Sequence, residues 1–216
     1  MKESRKTAII AGTAILLMAL VAGFTYGFAH NTLVNPENQE STYQNIINSN
    51  LLFRSEVLGW IVILLLDILV AWALYVFFKK QDANRSLLTG WLRLVYAAML
   101  GVAMQNLVQL FNIHEMNINE TMNRIKAFEN MWSLSLIVFG FHLLELGQLV
   151  LKSSASKIFG ILLVLAALSY LFINISKTLF GNTMDMLAVA ETILSIPMAI
   201  GEIAFAVWLV IKGGKG

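Results

Sequence analysis

Six uninterrupted apolar runs, each of about 20 residues, leave this chain one medium in which to fold: the lipid bilayer. They occupy residues 7–29, 57–78, 88–111, 130–151, 157–176 and 187–211. About 20 apolar residues in a helix cross the ~30 Å hydrocarbon core, because every backbone N–H and C=O is then satisfied within the segment. A membrane barrel would show short alternating segments instead. The fold class that follows is all-α. It is a polytopic membrane bundle of six transmembrane helices, with residues 1–216 as a single transmembrane domain. Only 13% of residues are charged and 58% are apolar, against about 25% charged in an ordinary soluble domain.

The first run could be mistaken for a secretory signal, since it follows Lys2, Arg5 and Lys6 and ends near Gly27 and Ala29. Its ~23 apolar residues exceed the 7–15 of a signal core, so it reads as a retained helix. Two longer connections remain, 30–56 and 112–129. Both are too short for an independent domain, so any chemistry lies in the membrane or at its rim. Tyr43–Phe53 mixes amides with apolar residues, as an interfacial helix does. Met122, Ile125 and Phe128 recur at helical spacing, so the fourth helix is expected to begin outside the lipid.

Lysine and arginine set the orientation. One side collects ten: Lys2, Arg5, Lys6, Lys79, Lys80, Arg85, Lys152, Lys157, Lys212 and Lys215. The other has four: Arg54, Arg124, Lys126 and Lys177. The basic side is read as cytoplasmic. Both termini are then inside, loops 30–56 and 112–129 outside, and the location is a cytoplasmic (plasma) membrane. The outer loops carry acids such as Glu56, Glu129 and Asp185. A scattered net charge of +2 offers no nucleic-acid surface. With no cysteine, disulfides, thiolate metal sites and cysteine nucleophiles are excluded.

Several stretches, taken in order, resemble the bacterial membrane proteins grouped as domain-of-unknown-function family 4386. They are the basic start with Ala11-Gly12, Asn50-Leu-Leu-Phe-Arg54, and His142-Leu-Leu-Glu-Leu-Gly147. Lys152-Ser153 with Ile158-Phe-Gly-Ile161 follows, then Gly201-Glu202 through Trp208-Leu-Val-Ile-Lys-Gly213. The resemblance implies a six-helix fold and no particular activity. It also implies an apolar residue at 145, where this chain has Glu145.

Ionisable groups within lipid are costly, about 2.5–3.5 kcal/mol at the centre on insertion scales, and so become functional candidates. Here they are Asp67, Arg93, His142, Glu145 and Glu202. At about 1.5 Å per residue, Asp67 and His142 lie near mid-membrane. Glu202 lies a few ångströms to the cytoplasmic side of the centre, and Arg93 and Glu145 roughly 7–10 Å to that side of it. All five can meet in one slab, with Arg93 expected on Glu145 or, failing that, Asp67. Gln105, Asn106, Gln109 and Asn112 put amides on the outer half of the third helix, three of them on one stripe, as a water path would require. Pro197 removes a helical hydrogen bond and Gly201 follows one turn later, so a helix break is expected beside Glu202.

No GxGxxG, P-loop, GxSxG or complete HExxH motif is present. The leading reading is a protein that binds or transports a proton, an ion or a small polar molecule. In it Asp67 and Glu202 titrate, Arg93 is their counter-charge and His142 relays protons. The alternatives are a membrane-embedded enzyme acting on a lipophilic substrate, with His142 as base or metal ligand, and a non-catalytic regulatory or immunity partner. No cofactor is expected. A metal among Asp67, His142, Glu145 and Glu202, or an outer haem on His30 and His114, remain the cofactor alternatives. The plain structural reading is that the charges are ion pairs and hydrogen bonds gluing helices together.

Overall fold

The computed structural model describes residues 2–153, 155–180 and 185–215. The side chains of Lys2 and Asp185, used above in the charge asymmetry, lie outside the described residues, as does Ser154 of the fourth connection. Among the described residues eight α-helices run in order: α1 Lys2–Ala22, α2 Asn31–Leu33, α3 Gln39–Asn48, α4 Asn50–Phe78, α5 Ala83–Gln109, α6 Ile118–Leu151, α7 Lys157–Phe180 and α8 Asp185–Ile211. Six stretches of them are long and apolar enough to cross a membrane. The first is α1 extended through a π-helical segment, Gly23–His30, into α2; the others are α4 to α8.

The spans outgrow the apolar runs that announce them. The fourth is helical from Ile118, as Met122, Ile125 and Phe128 foretold, and all three are buried. The amide-rich stretch before the second span divides instead. Its first part is α3, capped by Asn38 accepting from Ser41 N at 2.9 Å, and its last part is the start of α4. Asp82 and Asn117 cap α5 and α6 by the same device, a side-chain oxygen taking an orphan N–H of the first turn.

Each span packs on its chain neighbours, and α8 returns to α1, closing a ring of six. Small residues bring the backbones together. A Cβ on Gly12 would lie 2.6 Å from the Ala206 carbonyl, and Gly147 and Gly160 face one another across α6 and α7. At the terminal end Arg5 Nη1 donates to the carbonyls of Leu209 and Gly213 at 3.0 and 2.9 Å, and Nη2 to Val210 at 2.5 Å. A guanidinium on the C-terminal carbonyls of α8 satisfies acceptors the helix cannot, and suits the negative end of its dipole. Gly214, at φ 70°, turns the chain there. The two termini are thereby tied together at one end of the bundle. Outward, Leu20, Leu58, Leu65, Trp91, Leu168 and Ile193 are exposed, the apolar belt a lipid-facing bundle presents.

Pro197 does not interrupt α8, which is helical from Asp185 to Ile211. The helix is therefore not unwound at Pro197 or Gly201. Gly201 serves packing instead: a Cβ there would sit 2.7 Å from the Leu162 carbonyl and 3.0 Å from Ala166 Cβ. The glycine lets α7 and α8 touch rather than unwinding the helix.

Candidate functional site

Arg93 projects from α5 into the ring and ties four spans together. Its Nε and Nη2 reach Asp67 Oδ1 on α4 at 2.9 and 2.7 Å, and Nη1 meets His142 Nε2 on α6 at 3.1 Å. Nη2 also lies 3.9 Å from Met18 Sδ on α1, and the guanidinium carbon is 5.2 Å from the centre of the Phe139 ring. Arg93 is 2% exposed, Asp67 1% and His142 0%.

The partners settle the histidine's state. Thr89 O can only accept, and it is 2.9 Å from His142 Nδ1; Arg93 can only donate. His142 is thus the neutral Nδ1–H tautomer, with its other nitrogen spent on Arg93. Arg93 was expected first on Glu145. That carboxylate instead lies 3.5 Å from Arg85 Nη1, nearer the terminal end, where Arg85 also bonds Gln148. Glu145 and His142 are three residues apart on α6, but Glu145 is a half-exposed group and finds a half-exposed partner. It is not part of the Arg93 cluster.

Glu202 on α8 makes a separate contact: Tyr170 Oη on α7 donates to its Oε1 at 3.1 Å. Phe139 stands between the two groups, with ring centres 5.2 Å from Tyr170, 4.8 Å from Tyr96 and 5.5 Å from His142. Asp67, Arg93 and Glu202 nevertheless line one cavity of 1390 Å³; His142 does not. Toward the termini the ring is filled by Leu74, Phe78, Leu146, Val150, Phe205 and Leu209, all buried. Toward the loops the cavity continues between α1, α6, α7 and α8 to Lys126, Glu129, Lys177 and Glu191. It is open at the loop end and floored by charge.

The amides expected to line a water path do not face the cavity. Gln105, Gln109 and Asn112 are exposed on the outside of the ring, while Asn106 turns onto Ala103 O and Met131 Sδ at 3.1 and 3.6 Å. None of the four lines the cavity. Their stripe lies on the face away from the ring's interior, a distinction that helical periodicity does not make.

Beside the mouth lies a second buried cluster. His30 Nδ1 is 2.7 Å from Glu56 Oε1 on α4, and its Nε2 is 3.2 Å from Glu129 Oε1 on α6. Trp60 Nε1 donates to the same Glu56 oxygen at 3.4 Å. The π-helical segment stacks Tyr26 on His30, with centroids 5.4 Å apart, and Tyr26 meets Trp132 edge-on at 4.7 Å. Both nitrogens of His30 are occupied, and His114 is exposed in a separate 3₁₀ turn, Leu110–Glu115. Among the described residues, no group of three or more His, Asp or Glu side chains is arranged to hold a metal ion.

The family model described as Domain of unknown function (DUF4386) matches residues 10–213, nearly the whole chain. The chain belongs to this family. An uncharacterized protein of Archaeoglobus fulgidus is 32% identical over 160 residues, 74% of this chain and 84% of that relative. That relative is archaeal, so its likeness does not tie this DUF4386 member to bacteria. No solved structure matches the chain. The family match spans every candidate residue above, from the Gly12 crossing to the Arg93 cluster and the Gly201–Glu202 pair.

Tyr170, Tyr96, Trp60 and Trp132 escaped the sequence reading. In a transmembrane run an aromatic residue counts as apolar, and nothing local separates a ring facing lipid from one facing a cavity. His30, Glu56 and Glu129 were visible as ionisable groups, but they looked like rim residues because their partners lie 26 and 99 positions away.

Proposed function

We propose that this DUF4386 protein binds a small polar or amphipathic molecule or ion inside the membrane, admitting it from the loop end to the floor formed by Asp67, Arg93 and Glu202. One observation carries the reading: a 1390 Å³ cavity ends on three charged residues and is backed, toward the termini, by packed core. Ligand sites are concave and mostly apolar, with a few converging polar groups. This one has that make-up, deep in a low-dielectric bundle where polar contacts are strong. Asp67 Oδ2 is buried and has no hydrogen-bond partner. In a purely structural ion pair, that acceptor would be expected to be satisfied.

His142 serves in this reading as a positioning residue. It is held by Thr89 O and holds Arg93 in turn, and it has no nitrogen free to act as base or metal ligand. Binding is favoured over chemistry for that reason. The lysine and arginine asymmetry supports an orientation in the cytoplasmic membrane with both termini inside, so that the mouth opens outward. Release to the inside, which transport requires, would need the packed layer around Phe78, Leu146 and Phe205 to open.

The test uses the absence of cysteine. Met198 lines the cavity below the mouth, and Phe205 is buried beneath it. A membrane-impermeant, positively charged thiol reagent should modify Met198→Cys from the outer face and leave Phe205→Cys unmodified. An unreactive Met198→Cys in folded protein would overturn the reading.

A further inference from the structure

The charge and wall chemistry of the cavity narrow its occupant, provided the binding reading above holds. Eight ionisable residues line the cavity. At the mouth, Lys177 Nζ pairs with Glu191 Oε1 at 2.6 Å, and His30 lies between Glu56 and Glu129. Lys126 is exposed at the rim. The floor is different, because two carboxylates share one cation. Arg93 places Nε and Nη2 on a single oxygen of Asp67 and Nη1 on His142. Glu202 receives only the neutral hydroxyl of Tyr170. Asp67 Oδ2 is left as a buried acceptor without a donor. With its carboxylates ionised, the floor carries one negative charge more than its positive charge.

The walls add a second, independent preference. Tyr96, Phe139 and Tyr170 surround the floor, and Tyr26, Trp60 and Trp132 line the path to it. Aromatic faces carry negative potential and attract cations held within about 6 Å, most strongly where water is excluded. Apolar side chains such as Ile15, Ile63, Ile173 and Met198 complete the surface. Such walls suit a hydrophobic body, while the floor suits a positive charge.

From this conjunction we infer that the site takes a lipophilic organic cation: one positive charge facing Glu202, with the buried Asp67 carboxylate behind the floor, and an apolar or aromatic body among the rings. An anion of equal size would meet the excess negative charge of the floor and is rejected. A small hydrated metal ion leaves most of 1390 Å³ unfilled.

Two ions of nearly identical shape and opposite charge make the test: tetraphenylphosphonium and tetraphenylborate. Trp60 and Trp132 line the cavity, so saturable change in tryptophan fluorescence of the full-length protein in nanodiscs reports occupancy. The phosphonium is expected to bind at least about tenfold more tightly than the borate, a difference of one close charge–charge interaction. E202Q should weaken the phosphonium about tenfold, and E202D should retain it. Met198→Trp, which puts an indole in the path to the floor, should block it. Equal affinity for the two ions, or full phosphonium affinity in folded E202Q, overturns the cation assignment. The comparison of the two ions on unmodified protein stands even where a variant fails to fold. If both ions bind equally and Met198→Trp blocks both, the binding cavity survives and only its charge preference falls. Binding of neither ion overturns the cation assignment, and an unreactive Met198→Cys in the same preparation overturns the cavity as well.

Discussion

Arg93 meets Asp67 side-on: Nε and Nη2 both converge on Oδ1, at 2.9 and 2.7 Å, and Oδ2 is left buried without a partner. A fork-to-fork pair would use both carboxylate oxygens. The guanidinium cannot turn to make one, because Nη1 is committed to His142 and the plane lies over Phe139. The pair is therefore both a strut between helices and an incompletely satisfied polar group beside a cavity.

Removing one side of that strut should cost more than removing both. Arg93→Met leaves Asp67 an uncompensated buried charge or forces it to take up a proton, and is expected to destabilise by roughly 3–5 kcal/mol. The double variant Asp67→Leu with Arg93→Met should regain most of the loss. Thermal unfolding in nanodiscs measures both. A double variant less stable than Arg93→Met alone would show that Asp67 is not left as an uncompensated buried charge when Arg93 is removed.

The two carboxylates on His30 should differ sharply. Glu56 is 1% exposed and holds both His30 and Trp60, whereas the Glu129 side chain is 34% exposed. Glu56→Ala is expected to cost roughly 3 kcal/mol or more, as for a broken buried pair. Glu129→Ala should cost about 1 kcal/mol or less, as for a partly solvated one. Glu56→Ala should also shift the Trp60 emission, since the indole loses its acceptor. Equal unfolding midpoints for the two variants would contradict the burial difference.

Glycine substitutions distinguish packing from mere presence in a helix. Gly12→Ala places a Cβ 2.6 Å from the Ala206 carbonyl, and Gly201→Ala places one 2.7 Å from that of Leu162. Each should lose about 1–3 kcal/mol, the usual cost of overpacking. A Cβ at Gly27 has nothing within 4 Å, and Gly27→Ala should be neutral or slightly stabilising through helix propensity. Melting temperatures of the three variants, measured together, decide the matter.

Orientation is open to a direct experiment. A membrane-impermeant thiol reagent applied to the outer face should label Asn38→Cys and Asn119→Cys and spare Ala83→Cys. Asn38 and Asn119 lie at the loop end and Ala83 at the opposite, terminal end. Labelling of Ala83→Cys alone would reverse the assignment drawn from the lysine and arginine count.

The candidate site was partly readable before any coordinates. Asp67, Arg93 and His142 stood out because lipid makes charge expensive wherever it falls, and the three do meet. Glu145 misled because depth along a helix was known but azimuth was not. Its partner Arg85 also lies about 12 Å of helical rise nearer the terminal end of α5 than Arg93, so the match of depth failed as well. Gln105, Gln109 and Asn112 misled for the same reason: their shared stripe was correct, but which way it faces was undetermined. Pro197 suggested a break because a missing N–H weakens a helix, yet neighbouring turns and the tight α7 contact at Gly201 keep α8 helical.

What the sequence by itself determined is what the bilayer enforces on any chain. Six runs of sufficient length become six spans because unsatisfied backbone groups cannot remain in hydrocarbon, and charge within those runs must turn inward. The tertiary structure alone decided the rest. Closure of the ring through Gly12 on α8, the side-on seat of Arg93 on Asp67, and the aromatic walls from Tyr26 to Tyr170 depend on how each helix is rotated. Rotation is set by the summed packing of small and large side chains from distant parts of the chain. No single segment encodes it, because lipid and cavity wall accept the same apolar residues.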